Sequence, residues 1–385
     1  MGQETVLYSF CSSANCTDGK GPAAGLIQDA AGNLYGTTPG GGVNGAGTVF
    51  ELEPPAQPGD DWTENVLYSF CSAAHCTDGA NPYAGLIQDA AGNLYGTTPF
   101  GGNSNSICGG SCGTVYKLDS TGKETVLYSF CGVANCADGY VVFAGLIQDA
   151  AGNLYGTTQR VGANPNPTGG AVFKLDKRGH ETVVAVVCCN LVAGLVRDAE
   201  GNLYGTTVQG GYQNEWCAFG NGCGTVFKVD RTGSATVLHT FCNVGDQNGL
   251  CWDGYVPRAG LVQDAAGNLY GTSSAGVGYN NGGNVFKIVT RSSVNITLTS
   301  SPNPSQVDQS VTFSATVSGN RPTPTGSVTF AQGKTELGTV TLADGKATLT
   351  TTFTKSGEFP IKASYSGDDK YRATKCKPLK QLVEK

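Results

Sequence analysis

Charge is what this chain has least of. Only 14% of its 385 residues are Asp, Glu, Lys or Arg, the net charge is −6, and no basic cluster stands anywhere along it. Nucleic acid and anionic membrane surfaces are therefore not expected as partners, since nothing is there to hold a polyanion. No apolar run approaches the ~20 residues that a membrane-spanning helix needs, so no membrane insertion is expected within the chain. Helical periodicity is absent as well. With one Met and three His, soft or proton-shuttling groups are scarce. His75, His180 and His239 lack any G-x-S-x-G or H-E-x-x-H context, and Gly40–Gly42 opens no helix, as a phosphate-cradling loop would. No catalytic residue, metal centre or cofactor is indicated.

Glycine, by contrast, is abundant at 57 residues, and much of it is ordered in repeats. GLIQDAAGNLYGTT at Gly25–Thr38 returns at Gly85, at Gly145, at Gly194 (GLVRDAEGNLYGTT) and at Gly260 (GLVQDAAGNLYGTS), with starts 60, 60, 49 and 66 residues apart. Such a period is too long for a helical solenoid and suits a four-stranded propeller blade with long loops. In the second copy the strands read Ala84–Asp89, Asn93–Thr98, Gly113–Asp119 and Glu124–Phe130, separated by turn residues. Asp-Ala-Ala-Gly joins the first two as a tight hairpin, in which Gly supplies a positive φ and Asp accepts turn N–H bonds. Asp29, Asp89, Asp149, Asp198 and Asp264 are structural on this reading.

The two ends of the repeat region are complementary. Glu4–Phe10 (ETVLYSF) reads as a fourth strand before any first strand has appeared, and the fifth copy stops at its third, Gly283–Ile288. Their pairing would close a ring of five blades and remove its exposed edges. The opening Met1-Gly2-Gln3 is read as a trimmed start from which an export signal has gone. The propeller is expected over 1–290. Beyond it, Asn295–Ser300, Ser310–Val317, Thr325–Phe330, Gly338–Leu342, Lys346–Phe353, Phe359–Tyr365 and Lys375–Val383 are about seven strands of an Ig-like sandwich over 291–385. The expected fold is all-β: a five-bladed propeller closed by the N-terminal strand, then an Ig-like sandwich.

The string DAAGNLYGTT, followed by a Gly-rich loop and a strand such as GTVFKV, resembles the GloVer-type tandem repeats of exported bacterial proteins. It is also similar to two-component-regulator propeller repeats. The resemblance covers about residues 4–290. SPNPSQVDQSVTFSATVS, PTGSVTF, GTVTLADGKATLTTTF and YSGDDKYRAT resemble bacterial Ig-like repeats of surface proteins. These resemblances imply a secreted or cell-surface location and a projecting C-terminal arm, and they carry no catalytic residues over.

The 15 cysteines agree with export. Twelve form close loop pairs, Cys11/Cys16, Cys71/Cys76, Cys108/Cys112, Cys131/Cys136, Cys217/Cys223 and Cys242/Cys251, the pattern of disulfides in a secreted protein. Zinc is the rival: the C-x4-C spacing recurs, but one pair supplies half a tetrahedral site and the copies lie on separate blades. Cys188, Cys189 and Cys376 are left over. A vicinal Cys188–Cys189 bridge and free thiols both stand open.

All cysteines but Cys376, and nearly all length variation, fall in two loop classes that emerge on one face: between second and third strands, and between blades. Binding concentrates in variable loops on a rigid scaffold. Asp18, Asp78, Asp138 and Asp253 occupy matching Asp-Gly positions there, either as a ring of carboxylates at a channel mouth or as turn formers. Tyr83 and Phe143 precede inner strands, and Trp216, Phe219, Trp252 and Arg258 flank the notch left by the short loop Cys188–Val192. Such aromatics either grip sugars or peptides or plug the channel. The function expected is a non-catalytic binding or structural module for extracellular glycans or proteins. Two alternatives stand beside it: a carbohydrate-active hydrolase using the mouth carboxylates, and a subunit of an extracellular polymer assembled through propeller and Ig-like contacts.

Overall fold

The structure is a computed structural model that describes residues 2, 4–57, 59–163, 169–211, 222–243, 251–276, 282–319, 323–368 and 370–385. Two compact units partition the chain: Met1–Val262 with Tyr270–Phe286, and Gln263–Leu269 with Lys287–Lys385.

Each sequence repeat folds as its own antiparallel meander. Sheet 1 runs Ile27–Gln28, Leu34–Thr38, Thr48–Glu53, Thr63–Ser69, and sheet 2 runs Ile87–Gln88, Leu94–Thr98, Thr114–Leu118, Glu124–Ser129. Sheet 3 (Ile147–Gln148, Leu154–Thr157, Gly169–Leu175, Glu181–Cys188) and sheet 4 (Val196–Arg197, Leu203–Thr207, Thr225–Val229, Ala235–Thr240) repeat the order. Sheet 5 has Val262–Gln263, Leu269–Ser273 and Asn284–Ile288.

The repeated string accounts for this architecture residue by residue. The hairpin Asp29 caps its own turn through the N–H groups of Ala31 and Asn33, and its other oxygen accepts from Asn33 Nδ2 and Tyr35 Oη. Gly36 stands opposite Phe50 on the neighbouring strand. A Cβ at Gly36 would come within 2.5 Å of Phe50 Cζ, so the ring lies across the glycine and only hydrogen fits there. The first Thr of each GTT joins one sheet to the next. Thr37 Oγ1 donates to the Ala84 carbonyl at 2.9 Å, Thr97 to Ala144 at 2.9 Å, Thr157 to Ala193 at 3.2 Å and Thr206 to Ala259 at 3.3 Å. The second Thr faces the third strand: Thr38 Oγ1 lies 2.8 Å from Thr48 Oγ1, and Thr98 Oγ1 is 2.8 Å from Thr114 Oγ1.

Apolar packing between sheets follows the same rule. The Phe that ends a fourth strand packs edge-on against the third-strand ring of the next sheet: Phe70 on Tyr116 at 4.9 Å, Phe130 on Phe173 at 5.0 Å, Phe241 on Phe286 at 4.9 Å. After sheet 3 the position falls to Val187, which shares a cluster with Phe227.

The expected ring closure is not formed. Glu4–Phe10 carries no strand, and among the described residues sheet 5 ends at Asn284–Ile288 with three strands. The segment is instead anchored through Phe10, whose ring sits 4.7 Å from Phe50 of sheet 1. Val6 is left 70% exposed and Val285, on the unpaired edge of sheet 5, 78% exposed.

The second unit carries an Ig-like pair of sheets. One runs Asn295–Ser301, Ser310–Ser318, Lys346–Thr352; the other runs Ser305–Gln306, Leu379–Glu384, Gly357–Tyr365, Ser327–Gln332, Thr335–Thr341, with Thr374–Lys375 also on Gly357–Tyr365. The strict alternation over Ser310–Ser318 buries Val311, Phe313, Ala315 and Val317 against Val328, Phe330, Ile361, Ala363 and Tyr365. The two short strands Ser305–Gln306 and Thr374–Lys375 have no run long enough to announce them in sequence.

Candidate functional site

Three of the four loop aspartates, Asp18, Asp78 and Asp138, are buried organisers of their loops, and Asp253 is half-buried. Asp18 Oδ2 accepts from Tyr8 Oη at 3.0 Å, Ser12 N at 2.8 Å and Ser12 Oγ at 2.9 Å. Asp78 Oδ2 accepts from Tyr68 Oη and Ser72 N, both at 2.8 Å, and Asp138 Oδ2 from Tyr128 Oη at 2.9 Å and Gly132 N at 3.0 Å. At Asp253 the tyrosine is replaced by His239, whose Nε2 lies 3.2 Å from Oδ2. Asp18, Asp78 and Asp138 are each at most 3% exposed. Burial works against the charge of Asp18, but the donors from Ser12 and Tyr8 outweigh it and hold its carboxyl below the ordinary value.

These loops also reveal residues that the sequence reading passed over. Glu124 and Glu181 begin the fourth strands of sheets 2 and 3, Glu64 is the second residue of that of sheet 1, and each has a buried Oε1 with no hydrogen-bond partner. Burial first, and then the charges of Asp18, Asp78 and Asp138 respectively, push all three carboxyls up to about 7. The signal was present in the recurring Tyr-x9-Asp spacing and in the Glu at the start of each fourth strand, ETV at Glu124 and Glu181 and ENV at Glu64.

The exposed aromatic group lies where strands enter from these loops. Tyr83 and Phe143, from successive copies, meet edge-on at 5.7 Å, and Phe100 closes on Phe143 at 6.1 Å. Tyr83 is 43% and Phe100 36% exposed. Phe100 was not singled out from sequence; it holds the position of Gly40 in the first copy, and its backbone pairs with Ala80 as Gly40 pairs with Lys20. Trp252 and Arg258 are exposed. Trp216 and Phe219, expected at the notch, lie outside the described residues. At the short loop where the notch is expected, Cys188 and Cys189 form a vicinal bridge, and a Cβ at Gly210 would come 2.9 Å from Cys189 Sγ.

Two cavities lie at the other end of the strands, between the hairpins of adjacent repeats. One of about 830 Å³ is lined by Asp89, Tyr95, Lys117, Leu127, Asp149 and Lys177 among others. The other, about 580 Å³, is lined at equivalent positions by Asp29, Tyr35, Glu51, Leu67, Asp89 and Ser120. The packing of sheet on sheet makes this face grooved.

The local cysteine pairs are bridged: Cys11–Cys16, Cys71–Cys76, Cys108–Cys112, Cys131–Cys136 and Cys242–Cys251. Cys217, expected to pair with Cys223, lies outside the described residues. Cys376 is a free thiol, with its sulfur 3.2 Å from the Ala363 N–H.

Comparison with known proteins places this geometry. The model of a bacterial Ig-like domain (group 3) matches residues 298–384. No curated protein matches the chain. Among solved structures, the fibronectin(III)-like modules of Clostridium thermocellum CbhA match at 26% identity, covering 23% of this chain and 46% of that one, with a TM-score of 0.20. The extracellular domain of BT4673 from B. thetaiotaomicron matches at 13% identity, covering 94% of this chain and 55% of that one, with a TM-score of 0.35. The chain thus spans about half the length of the structures it matches. The Gloeobacter/Verrucomicrobia repeat model matches residues 1–164 and again 63–286, across the five meanders. The chain belongs to the Gloeobacter/Verrucomicrobia repeat family.

Proposed function

We propose that this chain is an extracellular, non-catalytic module that binds glycans. Its repeats act as propeller blades over 1–290, and its Ig-like domain over 291–385 acts as a projecting arm. The observation that carries the reading is the Tyr83–Phe143–Phe100 cluster. Three rings held edge-on by the scaffold offer apolar faces to sugar C–H groups, and the Tyr83 hydroxyl offers a polar handle. Bridged loop cysteines support a location outside reducing compartments. The buried loop aspartates, committed to tyrosine hydroxyls and backbone N–H groups, favour a structural part for those carboxylates over acid/base work. Affinity electrophoresis through a panel of polysaccharides tests the reading. The chain should be retarded by at least one, and Tyr83→Ala/Phe143→Ala should migrate freely with its circular dichroism unchanged. Retardation equal to the parent's would remove the aromatic cluster as the site.

In the same reading Glu4–Phe10, which carries no strand here, is the segment that can complete the fifth sheet. Phe10 already packs on sheet 1 as the other fourth-strand Phe residues pack on their next sheet. Among the described residues sheet 5 has no fourth strand. Thr272, the counterpart of the clasping Thr37, is exposed. Removal of residues 1–10 should produce an aggregating protein, and an unchanged melting temperature would sink closure. Discrete dimers or longer species of the intact chain would instead put the strand in a second copy, as the polymer reading requires.

A further inference from the structure

Cysteine pairs that the chain supplies from two different loops meet in space. Cys108 and Cys112 belong to the loop between the second and third strands of sheet 2, and Cys131 and Cys136 to the loop leaving its fourth strand. The Sγ atoms of Cys108, Cys112 and Cys131 all lie within 4.8 Å of one another, and Cys136 is bonded to Cys131. The convergence recurs in the fourth repeat, where the Sγ atoms of Cys223, Cys242 and Cys251 also lie within 4.8 Å. Bridging within each loop accounts for each pair but not for two pairs sharing one spot. Four sulfurs around one zinc at Zn–S ~2.3 Å would stand roughly 3.8 Å apart, inside the 4.8 Å that holds the sulfurs of Cys108, Cys112 and Cys131.

Backbone hydrogen bonds also hold both loops around these sulfurs. Cys112 N donates to Gly101 O at 3.0 Å, and Val141 N to Cys112 O at 2.8 Å. Cys131 N donates to Gly139 O at 3.2 Å, while Gly139 N and Gly162 N both donate to Cys136 O at 3.0 Å. Cys112 and Cys136 are fully buried and Cys131 nearly so, which keeps competing ligands away. The sequence objection to zinc, that one C-x4-C pair supplies only half a site, falls because the neighbouring loop of the same sheet supplies the other half.

We propose that Cys108, Cys112, Cys131 and Cys136 form a redox-convertible site for a thiophilic ion: two disulfides when oxidised, a tetrahedral zinc tetrathiolate when reduced. Each disulfide takes two electrons and two protons from a dithiol, which leaves as its cyclic disulfide, so two dithiols yield four thiols. Zinc then displaces four thiol protons and closes four Zn–S bonds. The ion holds the two loops together while the chain is still in a reducing compartment, before export and bridge formation.

The test uses the full chain, reduced with dithiothreitol, desalted without oxygen and titrated with Co²⁺ and then Zn²⁺. The reduced parent should show the charge-transfer and visible bands of a tetrahedral cobalt thiolate, lost on adding Zn²⁺, and the oxidised chain should show none. Cys112→Ser/Cys131→Ser should take up one ion fewer per chain, while Cys71→Ser/Cys76→Ser, which removes an isolated pair, should match the parent. Equal uptake by the parent and Cys112→Ser/Cys131→Ser, or no uptake by the reduced parent, overturns the proposal. Should reduction unfold the chain, recovery of its circular dichroism on adding Zn²⁺ in the parent but not in that variant supports the site; failure of Zn²⁺ to restore the parent overturns it.

Discussion

Tyr68 donates its hydroxyl proton to Oδ2 of Asp78 across 2.8 Å, tying the end of one meander to the loop that begins the next. The same bond recurs from Tyr8 to Asp18 and from Tyr128 to Asp138. Tyr68→Phe keeps the ring but removes the donor, leaving Asp78 Oδ2 with the Ser72 N–H alone. A hydrogen bond to a buried charged group is worth about 1.5–3 kcal/mol, so a loss in that range is expected in urea unfolding. A midpoint equal to the parent's would show that the bond adds nothing.

The three raised glutamates set a pH dependence. Glu64, Glu124 and Glu181 titrate near 7 when folded, against an ordinary 4.5, because burial and the facing Asp18, Asp78 and Asp138 disfavour their charge. Tyr8, Tyr68, Tyr116 and Tyr128 are the other titratable groups coupled to them, and these stay neutral in this range. Between about pH 4.5 and 7 the folded chain holds more protons than the unfolded one, so this stability is full below the unfolded value and is lost as pH rises through the folded one. Melting temperature should fall across that window, and the triple Glu→Gln variant should be flatter there. On the acid side Asp29, Asp89 and Asp149, whose carboxyls are held low, lose their stabilising hydrogen bonds as they protonate. The parent's slope retained in the triple variant would contradict this assignment.

Thr97 Oγ1 is the donor for the buried Ala144 carbonyl, 47 residues away in sequence. Thr97→Val preserves shape and leaves that carbonyl without its donor, at a cost of about 1–3 kcal/mol. Thr97→Ser, which restores the hydroxyl, should recover most of the loss; equal destabilisation by both would point to packing of the methyl instead.

Gly36 cannot accept a side chain while Phe50 lies across it. Gly36→Ala should destabilise by about 1–3 kcal/mol through overpacking. Combining it with Phe50→Leu, which withdraws the ring, should give less than the sum of the two single losses. Additive losses would mean that the two positions do not touch.

The repeat string by itself determined that the chain is β throughout, that each copy is one antiparallel meander and that Asp29 and its equivalents cap hairpins. Those features depend on neighbours within a few residues, where alternation, Gly and Asp act directly. The local disulfides were legible for the same reason. What the string could not disclose was which surface each unit turns to the next. Thr37 reaching Ala84, Asp18 raising Glu64, Phe100 joining Tyr83 and Phe143, and Cys112 meeting Cys131 all join segments separated by long stretches of chain. Their proximity is set by the stacking of one meander on another, a tertiary choice. The unpaired end strand is the same lesson in reverse. Glu4–Phe10 has the sequence of a fourth strand but carries no strand, and Phe10 on Phe50 makes the apolar contact without one.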